Sequence, residues 1–313
     1  MASFFGFEPV FMPIARAPRF LRPLQYVVHA IRSLLLLYRR DPQIIWVQLP
    51  QVPLLTAALL YRRLFARNAK IVADCHNLMF DAPWRNWPFV TSKLNKADLI
   101  LVHNREIVSK AVTMRIRRSI IHPLEDCPAA IRVPGISSPR SAPPSFLFLT
   151  WFELDEPIKE LYEAALLAPE LRFIIAGDTR CARGRHKLRP HPPNVELVGY
   201  LSGMELDAAI VAADALLGLT KHPDEQLSTA AEAVGAGKAM VLSDTKLLRE
   251  MYYKGAVYVD VFDPKSIVGG CRKVLEHRSR LELESRDLNQ ERVARWREHA
   301  SVIKDLLQPR PKA

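Results

Sequence analysis

Two carboxylates that lie eight residues apart, Asp224 and Glu232, have the clearest capacity to bind a ligand in this 313-residue chain. A turn and the start of a predicted helix separate them. Carboxylates accept hydrogen bonds from hydroxyl groups, and the free amides at the start of a helix attract phosphate. The pair is therefore typical of a site for an anionic, hydroxyl-rich ligand, and a nucleotide sugar is such a ligand.

The flanking sequence predicts the elements that would position these carboxylates. The apolar run at residues 215–220 is typical of a buried parallel strand, residues 221–227 of a loop, and residues 239–242 of the next strand. Ser228 or Thr229 can cap the helix that begins after the loop. The carboxylates would then lie where parallel α/β sheets bind ligands, beyond the carboxyl ends of the strands.

This placement predicts a different role for each carboxylate. Asp224, in the loop, would accept hydrogen bonds from sugar hydroxyls. Glu232, about one turn into the helix, would accept both hydroxyls of a ribose. The alternative is that Glu232 is a surface or capping carboxylate in an ordinary βαβ unit.

The same residues carry a resemblance to a known family. The segment is similar to the donor half of the GT-B glycosyltransferases, in particular the large retaining family 4, whose members carry two acidic residues with this spacing. The match continues at Ala233, Gly237, Val241, Ser243, Asp244, Leu248, Arg249, Glu250, Gly255 and Ala256. It covers residues 145–275 well and the N-terminal half loosely. The resemblance implies an α/β fold of two Rossmann-like domains facing a cleft, and sugar transfer that needs no bound metal or other cofactor.

The resemblance also indicates which residues would hold the diphosphate. Family members carry an Arg and a Lys after the first donor-domain strand; here Trp151 occupies the Arg position and Lys159 stands for the Lys. A missing Arg removes a fixed charge from the leaving group, and Lys221, Arg180 or Arg183 could substitute. The predicted donor-binding residues are Lys159, Thr220, Ser228, Thr229 and Glu232.

A second resemblance leaves the stereochemistry open. Residues 150–152 and 155–157 are similar to segments of the eukaryotic mannosyltransferases that build lipid-linked oligosaccharide. Those features suggest inversion at the anomeric carbon, whereas family 4 implies retention.

The sequence offers one catalytic candidate in each half of the chain. His76 is the best candidate in the N-terminal half, and Asp224 is the candidate in the other half. His76 ends a predicted strand, where it could hydrogen-bond the transferred sugar or the acceptor hydroxyl. The alternative is a structural histidine. The runners-up are His103 and Asn104, which end the neighbouring predicted strand, and His222.

Alternating strands and helices predict a doubly wound sheet in each half. The predicted domains are 1–138, 139–282, and 283–313 as a returning helix and tail. Residues 137–144 form the predicted linker, and Trp296 would anchor the last helix on the N-terminal domain. Only Gly6 and Gly135 precede residue 136, and residues 4–11 stand where a usual family member has its second strand. Either an N-terminal domain of reduced size or a true start that lies upstream would explain both features.

Composition indicates a cytoplasmic protein. The four cysteines are scattered, which predicts neither a zinc site nor a disulfide framework. The start of the chain has no signal-peptide pattern, and no apolar run reaches the roughly 18 residues of a membrane span.

The charge is concentrated in the N-terminal half. Residues 1–135 hold 19 Lys and Arg against 8 Asp and Glu, a net charge of +11, whereas residues 136–313 hold 25 of each. Basic residues interleave with apolar ones at 20–40 and 55–67, and no RNA-binding motif occurs. This pattern favours peripheral association with an anionic membrane surface over nucleic acid. The alternative is core helices with solvated arginines at their ends.

The predicted partners are thus a nucleotide-sugar donor, a lipid-linked or glycan acceptor, and the inner face of a membrane. Two other functions stay open at this point. One is a non-catalytic GT-B partner protein at the membrane, which the Trp at position 151 would favour. The other is a GT-B-like sugar-nucleotide epimerase.

Overall fold

The computed structural model describes residues 1–12, 19–129, 131, 143–181 and 190–308. The chain divides into two compact units, Met1–Cys127 with Arg295–Ala313, and Pro128–Ala294. The predicted linker at 137–144 falls largely outside the described residues, and Arg183 falls wholly outside them.

The first unit contains a four-stranded parallel sheet in the order β1-β2-β3-β4. Its strands are β1 (Ile44–Leu49), β2 (Lys70–Cys75), β3 (Leu99–Val102) and β4 (Ile121–Pro123). Its helices are α1 (Ala2–Phe5), α2 (Arg22–Arg40), α3 (Val52–Leu64), α4 (Val90–Leu94) and α5 (Arg105–Thr113). The inner strands β2 and β3 are buried at nearly every position, which is why they read as continuous apolar runs.

The N-terminal segment does not form the strand that its position predicted. Residues 2–5 form α1, and residues 1–12 contain no strand. The reason is aromatic packing: the ring centroid of Phe4 lies 5.1 Å from that of Trp296, and the Phe5 ring lies 4.9 Å from Trp46. The phenylalanines bury their rings against the unit, so this segment does not pair with the edge of the sheet.

The second unit contains a six-stranded parallel sheet in the order β10-β9-β8-β5-β6-β7. Its strands are β5 (Ser145–Leu149), β6 (Arg172–Ala176), β7 (Val195–Gly199), β8 (Ala215–Gly218), β9 (Met240–Ser243) and β10 (Ala256–Val259). Its helices include α6 (Ile158–Leu167), α7 (Met204–Ala212), α8 (Ser228–Ala236), α9 (Lys246–Met251) and α10 (Pro264–Glu276). The chain starts at a central strand, builds outward to β7, then returns to place β8 on the other side of β5. This is the strand order of a dinucleotide-binding fold.

The last helix, α11 (Arg278–Leu307), contributes to the core of both units. In the second unit, Arg278 makes a buried ion pair with Asp214, and the Ser285 hydroxyl donates to the carbonyl of Lys238 at 2.7 Å. In the first unit, Trp296 is buried and its indole N–H donates to the Glu125 carbonyl at 3.1 Å. A single helix therefore completes two hydrophobic cores.

Among the described residues, no helix combines the length and apolar character that crossing a membrane requires. All four cysteines are free.

Candidate functional site

The strand order of the second unit reverses between β5 and β8, and this is where α/β sheets of this type form a ligand crevice. Thr150 and Trp151 follow β5, and Thr220 lies two residues beyond β8. Gly177, after β6, permits a close approach at the same edge, since a Cβ there would lie 2.2 Å from the Thr150 carbonyl oxygen. Thr220, one of the predicted donor-binding residues, therefore lies beside this reversal point.

Glu232 has an unsatisfied carboxylate oxygen. It is the fifth residue of α8, and its Oε2 is buried without a hydrogen-bond partner in the described part of the chain. Burial, with a contribution from the charge of Asp207, raises the pKa of Glu232 to about 7. A buried acceptor without a partner costs stability and calls for an explanation. The hydroxyls of a bound ligand would supply the missing donors.

The start of α8 differs in detail from the sequence prediction. Leu227 is the N-cap residue, and no side chain caps the helix, so the prediction that Ser228 or Thr229 caps it is wrong. The cap position falls one residue earlier, which places Ser228 in the first turn, exposed, and Thr229 in the core. The N-cap side chain therefore accepts no hydrogen bond from the first-turn amides, and amides at a helix start can bind anions.

Asp224 lies in the loop between β8 and α8, as predicted, and is half-buried. Its amide donates to Nδ1 of His222 at 3.2 Å. The neighbouring acid, Glu225, was passed over by the sequence reasoning. Burial, together with the hydrogen bond and charge of Asp155, raises the pKa of Glu225 to about 7.

Thr220, Asp155 and Glu225 form a compact hydrogen-bonded group. The Thr220 hydroxyl oxygen lies 3.0 Å from Asp155 Oδ2 and 2.8 Å from Glu225 Oε2. The Thr220 hydroxyl has one proton and can donate it to only one of the two carboxyl groups. The other contact therefore needs a proton on Asp155 or Glu225. Although burial opposes it, hydrogen bonds from Glu225 and Thr220 lower the pKa of Asp155. Glu225 therefore carries the shared proton, and Asp155 carries the charge.

Three of the basic residues predicted to hold a diphosphate, Lys159, Lys221 and Arg180, lie in the described part of the chain, and each is paired with an acid. Lys159 is exposed on α6, with Nζ 3.6 Å from Glu163. Lys221 Nζ lies 2.7 Å from Glu160. Arg180 makes a two-pronged contact with Asp178 at 2.8 and 2.9 Å. A diphosphate would have to compete with these carboxylates.

Two exposed aromatic rings stand at the same edge of the sheet. Trp151, at the position of the family's Arg, and Tyr200, after β7, have ring centroids 6.1 Å apart. Both rings are more than half exposed, and such rings can stack on a planar base or a sugar face.

In the first unit, His76 lies at the carboxyl end of β2 beside His103, which follows β3. The two ring centroids are 4.2 Å apart. Burial and the neighbouring His103 lower the pKa of His76, so it is neutral at pH 7. Its Nε2 lies 2.8 Å from the Gln48 amide nitrogen. Since an amide N–H can only donate, Nε2 is the acceptor and Nδ1 carries the proton.

His103 is buried between two carboxylates, with Nε2 3.0 Å from Asp74 and Nδ1 3.0 Å from Asp126. Burial alone would lower its pKa, but hydrogen bonds and charges of Asp126 and Asp74 raise it to about 10. His103 is therefore an imidazolium. The runner-up Asn104 has a structural role, because its side chain caps α5 by accepting from the amide of Ile107.

The same residues form a possible metal-ligand cluster. Donor atoms of Asp74, His76 and His103 lie within 4.8 Å of one another. His103 Nε2 already makes a hydrogen bond with Asp74, and a protonated ring nitrogen has no lone pair for a metal. A metal at this cluster would therefore have to displace a proton from His103.

No protein-family model and no curated protein sequence matches the chain. Its fold is similar to sucrose-phosphate synthase from Thermosynechococcus elongatus, with TM-score 0.71 and 14% identity over 94% of this chain and 80% of that one. It is also similar to Anabaena HepE, solved in complex with UDP and glucose, with TM-score 0.69 and 12% identity over 92% and 84%. A third similar structure is an α,α-trehalose-phosphate synthase (UDP-forming) from Burkholderia vietnamiensis, with TM-score 0.66 and 13% identity over 93% and 77%.

At these identities the likeness establishes the fold. The chain has the α/β fold with two parallel-sheet domains found in GT-B glycosyltransferases, which confirms the predicted fold class.

Proposed function

We propose that this chain is a glycosyltransferase that moves a sugar from a nucleotide-sugar donor to a lipid-linked or glycan acceptor. The observation that carries the proposal is the buried, unpartnered Oε2 of Glu232, which lies on the helix that starts beside the strand-order reversal of the second unit. A ribose offers two adjacent hydroxyl donors for such an oxygen. The fold likeness to HepE, which was solved with UDP-glucose, supports a donor of this class.

Each donor group has proposed contacts in the second unit. Glu232 accepts from the ribose, while the first-turn amides of α8, those of Ser228 and Thr229 among them, face the diphosphate. Lys159 exchanges its Glu163 partner for a phosphate oxygen. Asp224 accepts from the sugar hydroxyls, and the neighbouring Glu225 joins it, held in place by Thr220 and Asp155. The proposed donor-binding residues are Lys159, Thr220, Ser228, Thr229 and Glu232.

The proposed reaction breaks the bond between the anomeric carbon and the diphosphate oxygen and forms one to the acceptor hydroxyl oxygen. The acceptor proton leaves with the diphosphate. Stabilisation of that leaving group would carry much of the rate. His76 contributes as a hydrogen-bond donor through Nδ1–H to the sugar or acceptor, because Gln48 already occupies its Nε2. No metal is assigned to the reaction. Family 4 membership stays part of the proposal, and the choice between retention and inversion stays open.

A second candidate is a non-catalytic GT-B partner protein. Trp at position 151 and the acid partners of Lys159, Lys221 and Arg180 favour it, because each weakens the hold on a leaving diphosphate. Both candidates are proposed to be cytoplasmic and to act at the membrane surface.

Calorimetry with UDP, GDP and ADP on the wild type and on Glu232→Gln tests the proposal. We expect one nucleotide to bind the wild type and to bind the variant at least tenfold more weakly. Binding with no release of nucleotide from any nucleotide sugar, even with acceptor glycans present, would favour the partner protein. Absence of binding to all three nucleotides would overturn the donor site.

A further inference from the structure

Helix α2 exposes a continuous apolar row. Six side chains spaced three or four residues apart lie on one face of α2 and of the short turn, Arg19–Leu21, that precedes it. Each is at least 51% exposed: Phe20, Leu24, Val27, Ile31, Leu35 and Tyr38. An isolated exposed Leu is ordinary, but a contiguous apolar row marks an interaction surface.

The opposite face of α2 already forms the core contact. Ser33 is buried, and Leu34 and Leu37 pack against the core of the first unit. The Tyr26 ring lies 5.9 Å from Trp84 and 5.8 Å from Trp87. The exposed row is therefore not the side that folding buries, and the alternative of a simple core helix does not account for it.

Helix α3 extends this apolar face. The Tyr38 ring stacks edge-on against Phe65, with centroids 5.0 Å apart. Phe65 and Leu64 are each more than half exposed, and Leu60 lies one turn before Leu64. We call the apolar row of α2, together with Leu60, Leu64 and Phe65, the docking face.

The chain segments that form the docking face are rich in arginine, although Arg40 pairs with Glu8 and Arg62 with Asp98. Arg32 and Arg39 are exposed and follow Ile31 and Tyr38 along α2. Residues 19–67 hold eight arginines, listed as Arg19, Arg22, Arg32, Arg39, Arg40, Arg62, Arg63 and Arg67, against one acid, Asp41. The Asp41 carboxylate accepts from the Tyr61 hydroxyl at 2.7 Å. An apolar row flanked by arginines is complementary to a surface with anionic headgroups above acyl chains.

We propose that the docking face binds the surface of an anionic lipid bilayer, with the α2 row inserted at the headgroup boundary and the arginines among the headgroups. A second copy of the chain is less suitable, because a symmetric contact would bring two arginine-rich faces together. The inference rests on the proposed function in one respect: binding to a bilayer would bring a lipid-linked acceptor within reach of the first unit.

Flotation with two kinds of vesicle tests the docking face: phosphatidylcholine alone, and phosphatidylcholine with about 30% of the anionic lipid phosphatidylglycerol. We expect binding to the anionic vesicles at low salt and release at high salt. Ile31→Glu with Leu35→Glu should lower the partition coefficient about 100-fold, since two buried apolar side chains are lost. Arg32→Gln with Arg39→Gln should lower it about 30-fold, or roughly fivefold per charge.

Matched variants in the second unit control for general effects. Leu166→Glu with Leu167→Glu changes two exposed leucines of α6, and Lys265→Gln with Lys273→Gln removes two exposed charges of α10. Both should bind vesicles as the wild type does, and circular dichroism should show that all four variants fold.

Three results would overturn the docking face: no binding to anionic vesicles at low salt, equal losses in the α2 and control variants, or a dimer in sedimentation velocity that Ile31→Glu abolishes while vesicles stay unbound. Nucleotide calorimetry on the same variants separates the two proposals. Loss of vesicle binding with nucleotide binding intact is the expected result for the α2 variants, whereas nucleotide binding absent from the wild type defeats the donor site and leaves the vesicle result standing.

Discussion

Replacing Glu232 with Gln should make the protein more stable and make it a poorer nucleotide binder. Burial raises the pKa of this acid from 4.5 to about 7. Between those values the folded state holds a proton that the unfolded state has lost. Stability therefore falls as the pH rises through this window, and the loss is complete above pH 7. Glutamine cannot ionise, so the variant avoids the loss.

The size of the effect follows from the shift. A difference of roughly 2.5 pH units corresponds to about 3.4 kcal/mol, and partial exposure of the side chain reduces this through solvent screening to about 1–2 kcal/mol. We expect Glu232→Gln to be more stable than the wild type by that amount at pH 8. At pH 4.5 the two proteins should differ by only a few tenths of a kcal/mol.

Urea denaturation at pH 4.5, 6 and 8 measures this difference directly. Glu205→Gln is the control, because Glu205 is an exposed acid in the first turn of α7. A Glu232→Gln variant that is destabilised, or whose stability difference is the same at all three pH values, would refute the reasoning. Nucleotide affinity should fall at least tenfold in the same variant, since hydrogen bonds to a charged acceptor contribute about 1.5–3 kcal/mol. Gained stability with lost binding is the signature of a carboxylate retained for a ligand.

Four further outcomes are expected. Nucleotide binding to the wild type should weaken up to about tenfold per pH unit below pH 7, because the ribose needs ionised Glu232; calorimetry at pH 5.5–8 that shows no change, or the same slope in Glu232→Gln, would contradict this. Asp155→Asn should lower the pKa of Glu225 below about 7, while burial keeps it above the ordinary value, and a carboxyl carbon titration by NMR in which the pKa does not fall would show that Asp155 does not act on Glu225. Trp151→Arg should tighten diphosphate binding about tenfold by adding a charge-assisted hydrogen bond, whereas unchanged affinity would place the diphosphate elsewhere. Trp296→Ala should cost about 3–5 kcal/mol in urea denaturation, as loss of a buried aromatic does, and a cost below 1 kcal/mol would mean that Trp296 does not anchor the core of the first unit.

The elements around the donor site could be predicted from the sequence because their signals are local. An apolar run before a polar loop identifies β8, and small residues after Ser228 identify α8. The choice between Asp224 and Glu225 could not be predicted. Adjacent loop residues point in different directions. Only the positions of Thr220 and of Asp155, which follows a different strand, β5, show which acid enters the hydrogen-bonded group.

The site in the first unit was likewise only partly predictable from the sequence. His76 stands out in the sequence as a polar residue after an apolar strand. Its protonation state, however, depends on His103, which follows the next strand, and on Asp126, which follows β4. Likewise, α2 is apolar on two sides, and periodicity alone cannot tell which side the fold buries.

The helix α11 has a consequence for the order in which the protein folds during synthesis. The first unit needs Trp296, Ala300, Ile303 and Leu307 to cover Val72, Leu99 and Leu101 of its sheet. Ribosomes make those four residues after the whole of the second unit. The second unit can therefore fold while the nascent N-terminal sheet still exposes apolar surface, which is the state in which chains aggregate or recruit chaperones. The part of the protein that is made first is the part that finishes folding last.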